Sequence, residues 1–185
     1  MKTKPSEHDT AERILQDGWE LFQQKGYRGV STDELCLRCG ITKPTLYYYF
    51  QDKEDLFVEV LLRRLRGFHE VIEQAGALEQ RLERIAAAML EGFQVNYAHL
   101  MHDLEHIKRE ENASRVRQAF ADELFSPITA LMQSAVDDGE LSGEAKFLAH
   151  LFMGMVESYI AHSREYGDNQ ILANKLTTFF LKGAR

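Results

Sequence analysis

An all-α protein of about nine helices is predicted by three features of the 185-residue sequence. Apolar residues recur at spacings of three and four along nearly its whole length. The period-two alternation of a half-buried strand is missing, and no segment repeats at a fixed interval. Helix-start residues (Ser31, Thr42, Asp52, Asp168) and helix-stop glycines (Gly26, Gly40, Gly139, Gly167) fall between the periodic stretches. A hydrophobic content of 44% with three prolines belongs to an ordered chain with a substantial core.

Residues 1–9 read as a mobile charged tail with Lys2 and Lys4 solvated. The first helix is predicted over residues 10–25, where Ile14, Leu15, Gly18, Trp19, Leu21 and Phe22 form one stripe. Gly26 stops it, and Tyr27 tucks behind its end. Ser31-Thr32-Asp33-Glu34 has capping-box spacing, with Ser31 as N-cap and Glu34 reaching back. Leu35, Cys36 and Cys39 are the inner face of that second helix, and Gly40 closes it in the left-handed conformation.

The third helix is short. Thr42 caps it and Pro44 lies in its first turn, where a missing N–H costs little. Leu46 and Phe50 anchor one face; Pro44, Thr45 and Tyr48 occupy the other, flanked by Tyr47 and Tyr49. Such a helix is not stable alone, so its neighbours must hold it. Three consecutive tyrosines suit an exposed, hydrogen-bonding surface rather than a core. Helix, glycine turn, short helix is the helix-turn-helix arrangement, whose second helix enters the DNA major groove. Residues 25–53 hold five basic against three acidic side chains, a balance of +2 in a chain of −7. That overall charge disfavours sequence-blind binding to nucleic acid, and it leaves the helix-turn-helix as the one mildly basic zone.

A long helix over residues 53–74 follows, capped by Asp52 and with Leu56, Phe57, Val60, Leu61, Leu65 and Phe68 inward. No linker interrupts it, so it is expected to carry displacement between domains. Further helices are predicted over residues 78–98, 99–109, 113–137 (kinked at Pro127), 143–166 and 169–182. The expected domains are a helix-turn-helix at 10–52 and a helical ligand-binding and dimerisation domain at 53–185, with 53–75 connecting. No apolar run reaches the ~18–20 residues of a membrane span, and the N-terminus lacks a secretory apolar segment. A cytoplasmic protein without membrane contact is expected.

Phe22, Gly26-Tyr27, Thr32, Leu35-Cys36, Cys39-Gly40-Ile41, Lys43, Thr45-Leu46-Tyr47, Phe50 and Lys53-Glu54 together resemble the DNA-binding domain of TetR-family transcriptional regulators of the TetR/AcrR type. The resemblance covers roughly residues 10–57, and further on it is one of length and helical pattern. It implies that Lys43, Pro44, Thr45 and Tyr48 face base edges, while Thr32, Tyr47, Tyr49 and Lys53 contact phosphates beside the Thr42-capped helix start. Lysine suits guanine acceptors, and Thr45 and Pro44 suit thymine methyls. The partners it implies are a double-stranded, palindromic DNA operator, a second copy of the chain and an unknown small, largely apolar effector. No cofactor, metal or catalytic residue is implied.

Phe68, Met89, Phe93, Tyr97, Met101, Phe120, Phe125 and Met132 are a core set that, by resemblance, also encloses the effector. Phe147, Leu148, Leu151, Phe152, Met155, Tyr159, Leu172, Leu176 and Phe179 make stripes wide for terminal helices, and by resemblance form a four-helix dimer interface. Cys36 and Cys39 form C-x-x-C with no second pair, and read as packing rather than redox or zinc chemistry. His99, His102 and His106 share one helix face; three ligands from one helix do not converge on an ion, so a polar face is the reading. The expected function is a ligand-responsive repressor. Its alternatives are a DNA-binding protein of the same fold controlled by a protein partner and, last, an enzyme or metal protein using the histidine face.

Overall fold

The computed structural model describes residues 7–92 and 102–184. Among them lie nine α-helices and no strand. These are α1 Glu7–Gly29, α2 Thr32–Cys39, α3 Lys43–Tyr49, α4 Lys53–Ile72, α5 Leu78–Gly92, α6 Glu110–Phe120, α7 Ser126–Asp137, α8 Ala145–Ile160 and α9 Asn169–Ala184. A π-helical turn, Ala121–Phe125, joins α6 to α7, and a 3₁₀ turn, Ser163–Tyr166, follows α8. The expected tail lies largely outside the described residues, and Glu7 already begins α1. None of the described helices is long and apolar enough to cross a membrane.

The described residues form two compact units, one of residues 7–64 and 102–116, the other of residues 65–92 and 117–184. This differs from a division after residue 52. The first part of α4 and the stretch 102–116 go with the helix-turn-helix, because buried carboxylates bind them there.

In the first unit α1 breaks where expected: Gly26 has φ 71 and ψ 167, outside helical space. Ile14, Phe22, Leu35, Leu46, Leu56 and Phe57 are almost fully buried, each such side chain contributing about 1.5–3 kcal/mol of transfer free energy. Phe22 meets Phe57 edge-on at 5.0 Å between centroids. Ser31 Oγ accepts the Glu34 N–H at 3.2 Å, the expected half of the capping box. The reciprocal half is corrected: the Glu34 carboxylate is bound by Lys25, a charged donor that outcompetes a backbone amide. Gly40 takes φ 61 and ψ 37, the left-handed closure of α2. Cys36 and Cys39 are buried and free. Burial raises both thiols, Cys39 to about 12 with help from Asp17, so they stay protonated and pack as small apolar groups.

In the second unit α5 packs on α9 and α8, and α8 packs on α7. Leu82, Ile85, Ile128, Met132, Phe152 and Val156 are its innermost residues. Arg81 donates to Ile72 O, and Arg84 to Gln74 O and Ala75 O, satisfying carbonyls that the end of α4 leaves open. The helix expected over 113–137 is split by the π turn just before Pro127, whose missing N–H leaves the preceding turn to rearrange. Asp168 Oδ1 accepts the Gln170 N–H at 2.6 Å, the expected cap of α9.

The helix expected over 99–109 does not reach Arg109. Residues 105–107 close i→i−3 turns, and the N–H groups of Lys108 and Arg109 go to the Glu54 carboxylate instead of to helical carbonyls. His99 lies outside the described residues. His102 is exposed and pairs with Glu105, and its ring meets His106 at 4.8 Å. Among the described residues no three metal-binding side chains come together.

Of the effector-pocket set, Phe68, Met89 and Met132 are buried, Phe120 and Phe125 are half-buried, and Phe93, Tyr97 and Met101 lie outside the described residues. The dimer set needs a correction. Leu148, Phe152, Leu172 and Leu176 belong to the core of the second unit, because α8 and α9 turn that face onto α5 and onto each other. Met155 and Tyr159 are half-buried. The outward stripes are Phe147, Leu151, Gly154 and Ser158 on α8, and Ile171, Lys175, Phe179 and Lys182 on α9. Ile171, 54% exposed, is a further apolar member of the α9 stripe.

Candidate nucleic-acid interface

The short helix α3 stands on Leu46 and Phe50, both buried, which fixes its opposite face outward. Thr42 caps it, accepting the Thr45 N–H at 3.4 Å, and Pro44 fills the first turn. Thr42 Oγ1 also meets Thr45 Oγ1 at 2.9 Å, so the Thr45 hydroxyl is engaged locally. Phe50 ends the helix in an extended conformation while its N–H still bonds Leu46 O. Exposure follows the wheel: Tyr48 is 69% exposed and Tyr47 48%, with Tyr49 half-buried and edge-on to Tyr48 at 5.0 Å. Pro44 and Lys43 are exposed, and Thr32 is half-buried at the start of α2. Lys43, Pro44, Thr45, Tyr47 and Tyr48 thus share one short element, with Thr32, Tyr49 and Lys53 on its borders.

Two of these residues are engaged in ways spacing did not reveal. Lys43 Nζ pairs with Asp33 at 2.8 Å in open solvent, and that hydrogen bond raises its pKa. Reaching a base would mean exchanging this exposed partner, an exchange of small cost. Lys53 is turned inward. Its Nζ donates to Tyr27 O at 2.8 Å and Val30 O at 2.9 Å, and lies 4.3 Å from the Tyr27 ring centre. Burial lowers its pKa. The ammonium therefore ties the α1–α2 corner to the start of α4, and only its remaining N–H is available to an outside oxygen. Lys53→Ala is expected to lose about 2 kcal/mol of stability by stranding two carbonyls. A melting temperature equal to that of the parent chain would rule out this corner-tying role.

The platform beneath is held by two buried carboxylates that the sequence reading missed. Glu54, 8% exposed, accepts from Lys108 N, Arg109 N, Arg109 Nε and Asn112 Nδ2 at 3.0–3.2 Å. Burial alone would raise this carboxyl; the hydrogen bonds from Asn112, Lys108 and Arg109 outweigh it and hold the pKa at about 2. Arg109 continues to Asp52 at 2.8 Å. Asp103, 5% exposed, accepts the Tyr27 N–H beside Gly26. A Cβ on Gly26 would stand 3.1 Å from Asp103 Oδ2, so glycine there serves both the left-handed φ and this close approach. No spacing signal links partners 54–77 residues apart.

Comparison with known proteins agrees with this geometry. The family profile described as bacterial regulatory proteins, tetR family, matches residues 14–60, which span the helix-turn-helix and the start of α4. The HTH-type transcriptional repressor NemR of Escherichia coli is 36% identical over 67 residues, 36% of this chain and 34% of NemR, so the matched stretch spans about a third of that relative. The uncharacterized HTH-type transcriptional regulator YvkB of Bacillus subtilis is 25% identical across 94% of this chain and 96% of its own. The transcriptional regulator FadR of Bacillus subtilis, solved in complex with stearoyl-CoA, shares the fold. Its TM-score is 0.73 at 14% identity, over 94% of this chain and 99% of that one. The short outward helix, the residues that frame it and the matched profile lead to one conclusion: residues 14–60 are similar to the tetR family of bacterial regulatory proteins, and the all-helical body shares its fold with solved regulators of that kind.

Proposed function

We propose that the protein is a dimeric, DNA-binding transcriptional repressor released from a palindromic operator by a small, largely apolar ligand. The observation that carries the DNA half is α3: a rigidly anchored helix presenting Tyr47 and Tyr48 to solvent beside Pro44, Thr45 and Lys43. Pro44, Thr45, Tyr48 and an unpaired Lys43 read base edges; Thr32, Thr42, Tyr47, Tyr49 and the free N–H of Lys53 hold phosphates. A two-fold dimer places two such helices one groove turn apart. NemR, which carries a repressor's name, supports the sign of regulation. The apolar effector is supported by the stearoyl-CoA held by the FadR of shared fold. Release then follows population shift, the ligand binding better to a dimer whose heads no longer match the operator spacing.

Selection of bound duplexes from random DNA tests the reading, and a palindromic consensus is its expected result. On that duplex Tyr47→Ala is expected to weaken binding about tenfold in a gel-shift titration at fixed salt, with the helical circular dichroism unchanged. Equal affinity would remove Tyr47 from the interface. A thermal-shift screen of apolar compounds is expected to give hits that also release the duplex.

A further inference from the structure

Within the first unit a cleft of about 450 Å3 is lined by Tyr27, Arg28, Lys53, His106 and Lys108. Its lining is cationic and its nearest acids are already committed. Asp103 is bound by the Tyr27 N–H, Glu54 by four donors, and Asp52 by Arg109. Arg28 and Lys108, both exposed, have no carboxylate partner among the described residues. His106 lines the cleft, and its Nε2 is buried without a hydrogen-bond partner, a state that costs free energy. One Lys53 N–H is left over after its two carbonyls.

We propose that this cleft binds a phosphate group, held by Arg28, Lys108 and His106 with Lys53 at its base. Guanidinium, ammonium and imidazole donors from separate segments match a tetrahedral group with several acceptor oxygens better than a planar carboxylate. The volume exceeds that of a bare ion and falls in the range of about 300–1,000 Å3 usual for organic ligands, so a phosphate monoester with a body fits. The site is distinct from the base-reading face of α3 and does not depend on the proposed effector. The same chemistry has two sources, a soluble phosphate ester or the DNA backbone.

Inorganic phosphate is titrated into the full chain at constant ionic strength while the His106 ring resonances are followed by NMR. A saturable shift is expected, with chloride giving none. The double variant R28A/K108A is expected to bind phosphate at least about tenfold more weakly. Its melting should not change, since both side chains are exposed and the Lys108 N–H to Glu54 survives the substitution. Repeating the titration with duplex DNA in excess separates the sources. Loss of the response assigns the cleft to backbone phosphate, and a retained response to a free ester. The absence of a saturable shift, or an equal shift in R28A/K108A, overturns the site.

Discussion

Glu54→Gln is expected to lower the melting temperature by about 6–12 °C at pH 7 and to flatten the acid limb of the stability curve. The carboxylate is buried and accepts from two backbone amides, Asn112 and Arg109, which together hold its pKa near 2 against an ordinary 4.5. A depression of that size corresponds to about 3 kcal/mol, and for a chain of this length each kcal/mol moves the midpoint by about 2–4 °C. The sign follows from linkage. The native state binds this proton less readily than the unfolded chain, so the contribution is complete above pH 4.5 and drains away as pH falls towards 2. Glutamine has no charge to lose in that window, and its amide nitrogen faces donors where an acceptor is required. The difference between parent and variant should therefore shrink as pH drops from 4.5 to 2. Thermal melts across that range check it; equal midpoints at pH 7, or parallel acid limbs, would remove Glu54 as the group that binds residues 108–112 to the start of α4.

Phe179→Asp is expected to convert a dimer into a monomer and to weaken operator binding by about a hundredfold or more. Phe179 is 74% exposed, Phe147 61%, Ile171 54% and Leu151 49%, all on α8 and α9, which touch each other. Large apolar side chains concentrated on one helix pair mark a surface built for a partner. A second copy fits because a two-fold axis sets the same stripe against itself. Joining two reading heads makes the second contact intramolecular, which raises affinity by about 10²–10⁴ over one head alone. A carboxylate in that interface leaves an unpaired charge in each copy. Since Phe179 stands clear of the chain's own core, the helical content should survive. Sedimentation equilibrium with a gel-shift titration reads both effects; a Phe179→Asp dimer with parental DNA affinity would place the self-association surface elsewhere.

Local chemistry was legible in the sequence because it acts within a turn or two. The Ser31 and Thr42 caps, the left-handed Gly40, the break at Gly26 and the outward tyrosines of α3 each depend on residues three or four apart, and each stands where the pattern put it. Periodicity also identified the apolar stripes of α8 and α9, but a wide stripe serves two neighbours, and only packing on α5 divides it. Leu148, Phe152, Leu172 and Leu176 went to the core, leaving Phe147, Leu151, Ile171 and Phe179 outside. Lys53 had the spacing of a phosphate contact, yet two carbonyls of the α1–α2 corner turned its ammonium inward. The bonds from Glu54 to residues 108–112 and from Asp103 to Tyr27 span more than fifty residues. The sequence by itself determined which helices form and which short one faces outward, since propensity, capping and period are local. Tertiary structure alone decided which charges are buried against distant partners, because desolvation and long-range hydrogen bonds exist only once the chain has closed on itself.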